Sequence, residues 1–244
     1  GFVGGADMPI GNWRVGVLGG YSRSNFDVSD RASSGSSDNY DLGVYAGTQW
    51  GALGFRAGAI YGWHDIDTHR NVVFPAFSES LSANYRAATA QAFGELAYRV
   101  DVGQSAFEPF ANLAYVHLKT DGFAETGGTT SALTGMGATS DNSFSTLGVR
   151  ASTQLDMGTT RAALHGMVGW QHAYGDVNPA ADLAFNTGAS FTISGTPIAR
   201  NALALEAGFD VLLSPSATLG ASYSGQIARE SQGHAFKINF DLKL

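Results

Sequence analysis

The chain has 244 residues, with 14 Lys and Arg against 21 Asp and Glu, a formal charge of −7, and no cysteine. Charged residues make up 14% of it, where a soluble domain usually carries about 25%. This composition excludes a nucleic-acid binder, which needs clustered Lys and Arg, and also any disulfide framework, thiolate metal site or Cys nucleophile. The apolar fraction of 44% is too high for disorder. No apolar run approaches the roughly 18 residues of a membrane helix. The 32 glycines are about twice the usual share. Low charge with abundant glycine suits a chain that turns one side to lipid.

The chain opens in mid-pattern at Gly1-Phe2-Val3, which reads as a piece of a longer precursor. Strict alternation then dominates. Trp13, Val15, Val17 and Tyr21 alternate with Arg14, Gly16, Leu18 and Gly20. Tyr40, Leu42 and Val44 alternate with Asp41, Gly43 and Tyr45, and Phe55, Ala57 and Ala59 with Arg56, Gly58 and Ile60. The rhythm returns at Leu203–Val211. It is clearest at the end, where Phe236, Ile238, Phe240, Leu242 and Leu244 oppose Lys237, Asn239, Asp241 and Lys243. A period of two means strands with two different faces.

Short turns rich in Gly, Pro, Asn, Asp and Ser fall at 9–12, 51–52, 101–104, 156–159 and 214–216. Longer polar stretches, 27–38, 67–86, 121–142, 175–198 and 228–233, alternate with them and read as loops. Ten connections give eleven strands of roughly 10–15 residues, long enough to cross a bilayer at a tilt. The predicted fold is all-β, an antiparallel transmembrane β-barrel.

Aromatics near strand ends (Trp13, Tyr21, Trp50, Tyr61, Tyr98, Tyr115, Trp170, Tyr223) suit interfacial girdles. A charge on the lipid side costs a few kcal/mol at mid-membrane. The mid-strand charges Arg14, Asp41, Arg56, Glu95, Arg99, Arg150, Arg161, Glu206 and Asp210 are therefore assigned to the lumen, their mixed signs favouring paired ladders. Gly16, Gly20, Gly43, Gly47, Gly58 and Gly62 share that parity, and are expected to widen the bore along one wall. Bacterial single-chain barrels have even strand numbers, so eleven strands predict a twelfth, upstream of Gly1.

Other candidate chemistry is thin. His64-Asp65-Ile66-Asp67-Thr68-His69 invites a metal or protease reading, but a polar barrel rim supplies the same residues. His165 and His172 fall on opposite strand faces and cannot share a site. The run Gly220–Gly225 lacks the nucleophile-elbow spacing, and Gly135-Met136-Gly137 lacks a dinucleotide fingerprint. No catalytic, cofactor-binding or metal residue is assigned, and the chain is not read as an enzyme.

The ordered stretches WRVGVLGGYSRSNFDV (13–28), YDLGVYAGTQWG (40–51), FRAGAIYGWHDIDTHR (55–70), FGELAYRVDVG (93–103), FEPFANLAYVHLKTDGFAETG (107–127), GWQHAYGD (169–176), RNALALEAGFDVLLSPSATLGASYSG (200–225) and the closing FKINFDLKL resemble the C-terminal translocator domain of classical autotransporters, type V secretion. The resemblance covers nearly the whole chain and treats residues 1–244 as one translocator domain. It implies a 12-stranded outer-membrane barrel threaded by a helix that joins it to an exported passenger. The first strand, the pore helix and the passenger would then lie upstream of Gly1. It further implies a monomer with short turns in the periplasm and long loops outside. Its final strand (Phe236, Ile238, Phe240, Leu242, Leu244) would be read by the barrel-assembly machinery, although the family usually ends in Phe rather than Leu. Lipid, that machinery, and the chain's own helix and passenger are the implied partners, with no cofactor. An independent porin or adhesin barrel with binding loops is the alternative.

Overall fold

The structure, a computed structural model, describes residues 1–28, 32–157, 160–186, 188–229 and 231–242. The strands are β1 (Phe2–Ile10), β2 (Trp13–Val28), β3 (Ser33–Trp50), β4 (Leu53–Phe74), β5 (Phe77–Tyr98), β6 (Val100–Val102), β7 (Ser105–Thr120), β8 (Phe123–Ala124), β9 (Leu133–Gly135), β10 (Ala138–Met157), β11 (Thr160–Gly175), β12 (Ala180–Phe185), β13 (Ser190–Ser194), β14 (Asn201–Ser214), β15 (Ala217–Ala228) and β16 (Gln232–Leu242). The described residues contain no helix.

One antiparallel sheet runs β1-β2-β3-β4-β5-β7-β10-β11-β14-β15-β16, eleven strands each paired with its sequence neighbours in the barrel. The short β6 continues β5 in the same register, since Ala97 faces Phe110 and Val100 faces Phe107. The interruption at Arg99 has a local cause. Pro109 lies across from this break and has no N–H to give to the ladder. A second sheet, β13-β12-β9-β8, gathers segments from two long connections.

Three of the tight turns share one design. Ile10 faces Trp13, Trp50 faces Leu53 and Val102 faces Ser105 across two-residue links. Each link begins with a glycine in the left-handed region: Gly11 (φ 59), Gly51 (φ 61) and Gly103 (φ 61). Such turns match the strand twist and demand glycine there. The predicted turn at 156–159 includes residues outside those described.

Several predicted loops are shorter than expected. The stretch 67–86 is the outer part of one hairpin, with only Pro75 and Ala76 between β4 and β5, and Ala76 at φ 67. The stretch 27–38 holds the end of β2 and the start of β3. The stretch 121–142 carries β8, β9 and the start of β10, and 175–198 carries β12 and β13. Polar composition marks where strands leave the apolar layer, not where pairing stops. Ser80, Ser82 and Asn84 still occupy the β4–β5 ladder.

The register fixes two faces along the whole path. One carries Val15, Val17, Leu42, Val44, Leu96, Leu113, Leu147, Val168, Leu203 and Phe209, all exposed. Phe236, Ile238, Phe240 and Leu242 continue it on β16, with Phe236 83% and Ile238 79% exposed. Leu244 lies outside the described residues. So wide an apolar surface on a single chain marks contact with something other than water. At one end it finishes in Trp13 and Trp50, packed edge-to-face at 6.1 Å. At the other it reaches Tyr21, Tyr40, Tyr61 and Trp63, with Tyr21 and Tyr40 centroids 5.3 Å apart and Tyr61 and Trp63 4.8 Å apart.

The glycines of the charged face have close neighbours on adjacent strands. Two of the six predicted glycines, Gly16 and Gly58, seat rings, and so does Gly148; Gly20, Gly43 and Gly62 instead lie against Val3, Ile60 and Asp41. Tyr45 lies over Gly16, Phe110 over Gly148, and Phe93 over Gly58, where an added Cβ would meet the Phe93 ring at 2.7 Å. Gly47 is more open, with its nearest atom at 3.5 Å. A bare backbone on one strand thus becomes the socket for a neighbour's aromatic side chain.

Candidate functional site

The second face holds the polar chemistry. Arg14, Arg56, Glu95, Arg150, Arg161, Glu206 and Asp210 share it by register, as does Asp41, opposite Gly62. Arg99 joins them beside a cavity of about 250 Å³ lined also by Arg150, His165 and Glu206.

Three of these residues meet in one cluster. Glu95 on β5 accepts from Arg56 Nη1 on β4 at 2.7 Å, and from Arg150 Nη1 and Nη2 on β10 at 2.8 and 2.6 Å. Glu108 on β7 completes it, accepting from Arg56 at 2.9 Å and from Arg150 at 3.2 Å. The Arg150 guanidinium also lies 4.0 Å above the Phe110 ring. Glu95 is 6% exposed, which a bidentate Arg150 and a single bond from Arg56 make tolerable.

The geometry of these bonds tells the sheet's curvature. Arg56 to Glu108 passes over β5, and Arg150 to Glu95 passes over β7. The bond from Tyr45 to Asp7, at 3.0 Å, passes over β2. Backbones two strands apart are separated by roughly 9–10 Å. Side chains bridge that gap readily where their tips converge. On the apolar face, the hydrogen bonds among the described residues join adjacent strands only, as from Tyr21 to Asp38 at 2.7 Å. The charged face is therefore the concave one.

The remaining predicted residues pair locally. Arg14 is ion-paired to Asp7, Arg99 to Asp101 at 2.9 Å, and Arg161 to Asp156 at 3.8 Å. His165 reaches Asp210 at 3.4 Å and Glu206 at 3.9 Å. His172 lies on the opposite face and bonds Asn201, so the two histidines are separate, as read from the sequence. His64 bridges Asn39 at 2.7 Å and Thr89 at 2.9 Å on the flanking strands, a structural role. Sequence reasoning missed Glu108 and Asp7, and did not pair His165 with Asp210 and Glu206. Glu108 was within reach, because Phe107, Pro109 and Ala111 define the apolar parity and place Glu108 on the other.

Beyond the aromatic end, a second polar assembly holds the loops. Glu79 on β5 accepts from the backbone N–H groups of Thr129, Thr130 and Ser131 at 2.9–3.1 Å and from the Ser131 hydroxyl at 2.5 Å. These donors hold its carboxyl down to about 2. Arg70 on β4 donates to Glu125 and to the Ser131 carbonyl at 2.8 Å. The pair fixes the stretch 125–131 to the β4–β5 hairpin a few residues below its tip.

Membrane-length antiparallel strands, an apolar convex side bounded by aromatics and a charged concave side define an outer-membrane β-barrel. Residues 1–224 match the family described as "Autotransporter beta-domain", and the chain belongs to that family. It is 39% identical over 227 residues, 93% of its length, to an "Extracellular serine protease" of Serratia marcescens. It spans about a fifth of that relative, 22% of its length. Its fold resembles the translocator domain of the autotransporter NalP from Neisseria meningitidis (TM-score 0.79, 16% identity, 99% of this chain and 78% of that one). It also resembles the beta domain of the Bordetella autotransporter BrkA (TM-score 0.70, 16% identity, 99% and 91%).

Proposed function

We propose that this chain forms the wall of an outer-membrane conduit through which an attached passenger reaches the cell surface. Protein translocation, not catalysis, is its task, and any enzymatic activity resides in the passenger. The concave side is the lumen, and Arg14, Asp41, Arg56, Glu95, Arg99, Arg150, Arg161, Glu206 and Asp210 face it. The observation that carries the reading is the cluster of Arg56, Glu95, Glu108 and Arg150, bridged over intervening strands inside a sheet whose other side is oily.

A twelfth strand would close the ring between β1 and β16. Both of these have a single partner strand and are exposed along nearly their whole length. An unpaired backbone edge in lipid costs several kcal/mol per group. The tight turns lie in the periplasm and the long β4–β5 hairpin and second sheet lie outside. The barrel is a monomer, and the apolar row from Phe236 to Leu242 is what the assembly machinery reads.

The test is export from intact cells. A reporter fused upstream of the complete barrel becomes sensitive to external protease. A folded, heat-modifiable barrel whose reporter stays in the periplasm would falsify the translocator reading. Steady, large conductance in planar bilayers would favour an open porin instead.

A further inference from the structure

The β4–β5 hairpin rises well clear of the apolar layer. From Trp63 to Phe74 the strand covers roughly 36 Å at about 3.3 Å per residue. Its register never slips, from Leu53 opposite Tyr98 to Phe74 opposite Phe77. Its concave-side residues therefore stay on the face that carries Arg56 and Glu95. They are Arg70, Val72 and Phe74 on β4, and Phe77, Glu79 and Leu81 on β5.

The lower part of that face is covered. Arg70 and Glu79 grip residues 125–131, and Leu81 is 1% exposed beneath Gly128. Above it the face is partly open, with Val72 and Phe77 half-buried and Phe74 exposed. Phe74 is 62% exposed and stacks on Phe77 at 5.8 Å between centroids. The run Asn71-Val72-Val73-Phe74-Pro75-Ala76-Phe77-Ser78 contains no charge. A rigidly braced apolar tip in water is unfavourable unless a partner covers it. Its own bilayer is too far below to do so. The face that carries the tip is continuous with the lumen wall, along which an exported polypeptide travels.

We infer that Val72, Phe74 and Phe77 form an apolar landing contact for the exported passenger as it leaves the barrel. This rests on the translocator reading above, and names the surface that receives the passenger at the mouth. The occupant is an extended or partly folded segment of the passenger, bound through its apolar side chains.

The experiment uses the full-length protein in intact cells. A photoreactive benzoylphenylalanine replaces Phe77, and in a control replaces Val73, which is 69% exposed on the opposite face of the hairpin. Irradiation during export should join position 77 to the passenger at least fivefold more often than position 73. The double variant Phe74→Ser/Phe77→Ser should slow arrival of the passenger at the surface several-fold, with heat-modifiability of the barrel unchanged. Equal yields at the two positions, or none while the passenger is exported, would overturn the inference. So would capture of lipid or of a second copy. If the unmodified protein delivers no passenger, the translocator reading itself fails, and the occupant required here goes with it.

Discussion

Replacing Glu95 by Gln tests the concave cluster most directly. Glu95 accepts three charge-assisted bonds, and its side chain is 7% exposed. Each such bond contributes about 1.5–3 kcal/mol. The amide keeps the shape but turns an NH2 toward two guanidinium groups. Arg56 and Arg150 are 48% and 34% exposed at their side chains, so water screens part of the loss. The expected net destabilisation is about 2–4 kcal/mol. It is measured by urea unfolding of the complete barrel in detergent micelles, followed by the gel-mobility shift of the folded form. Adding Arg150→Met should cost less than the sum of the single changes, because both remove the same bonds. A Glu95→Gln barrel within about 0.5 kcal/mol of the parent, the spread of an ordinary surface change, would refute the argument that these charges act as one unit.

Three further outcomes are expected. Gly58→Ala drives a methyl into the Phe93 ring and should cost about 1–3 kcal/mol as overpacking, relieved by Phe93→Leu in the same chain; equilibrium unfolding of both variants checks this. Phe240→Asp puts a carboxylate on the apolar side and should cost on the order of 1–3 kcal/mol near mid-membrane; near-parental assembly yield would invert the assignment of faces. Glu79 has its pKa depressed from 4.5 to about 2, so its contribution is complete above about 4.5 and is lost as pH falls toward 2. Protease cleavage within 125–131 should rise across that window, and Glu79→Gln should show the elevated cleavage already at neutral pH.

Much of the fold was legible because a barrel writes its two environments into alternate residues. Strand number followed from the count of connections, the tight turns at 9–12, 51–52 and 101–104 from their Gly, Asn and Asp residues, and parity assigned the nine predicted charges to one face. The cluster did not, since nothing in spacing tells that Arg150 and Glu95 reach each other over β7. That depends on curvature, a property of the whole sheet. The extent of the long hairpin was also hidden, because solvated strands lose the apolar half of the pattern while keeping their ladder. The rings seated on Gly16 and Gly58 were likewise not legible. Those rings, Tyr45 and Phe93, belong to adjacent strands, and spacing along one strand does not show them.

The bonds that cross over β5 and β7 also serve as a proofreading device. Sliding β5 by one residue would turn Glu95 out toward hydrocarbon and Leu96 into the channel, and the same slip on β10 would expel Arg150. A misaligned intermediate would then carry naked charges in oil, at a few kcal/mol apiece for the arginine. Chemistry that looks like reinforcement in the finished cylinder thus acts earlier, by making the wrong alignment of these staves too costly to persist.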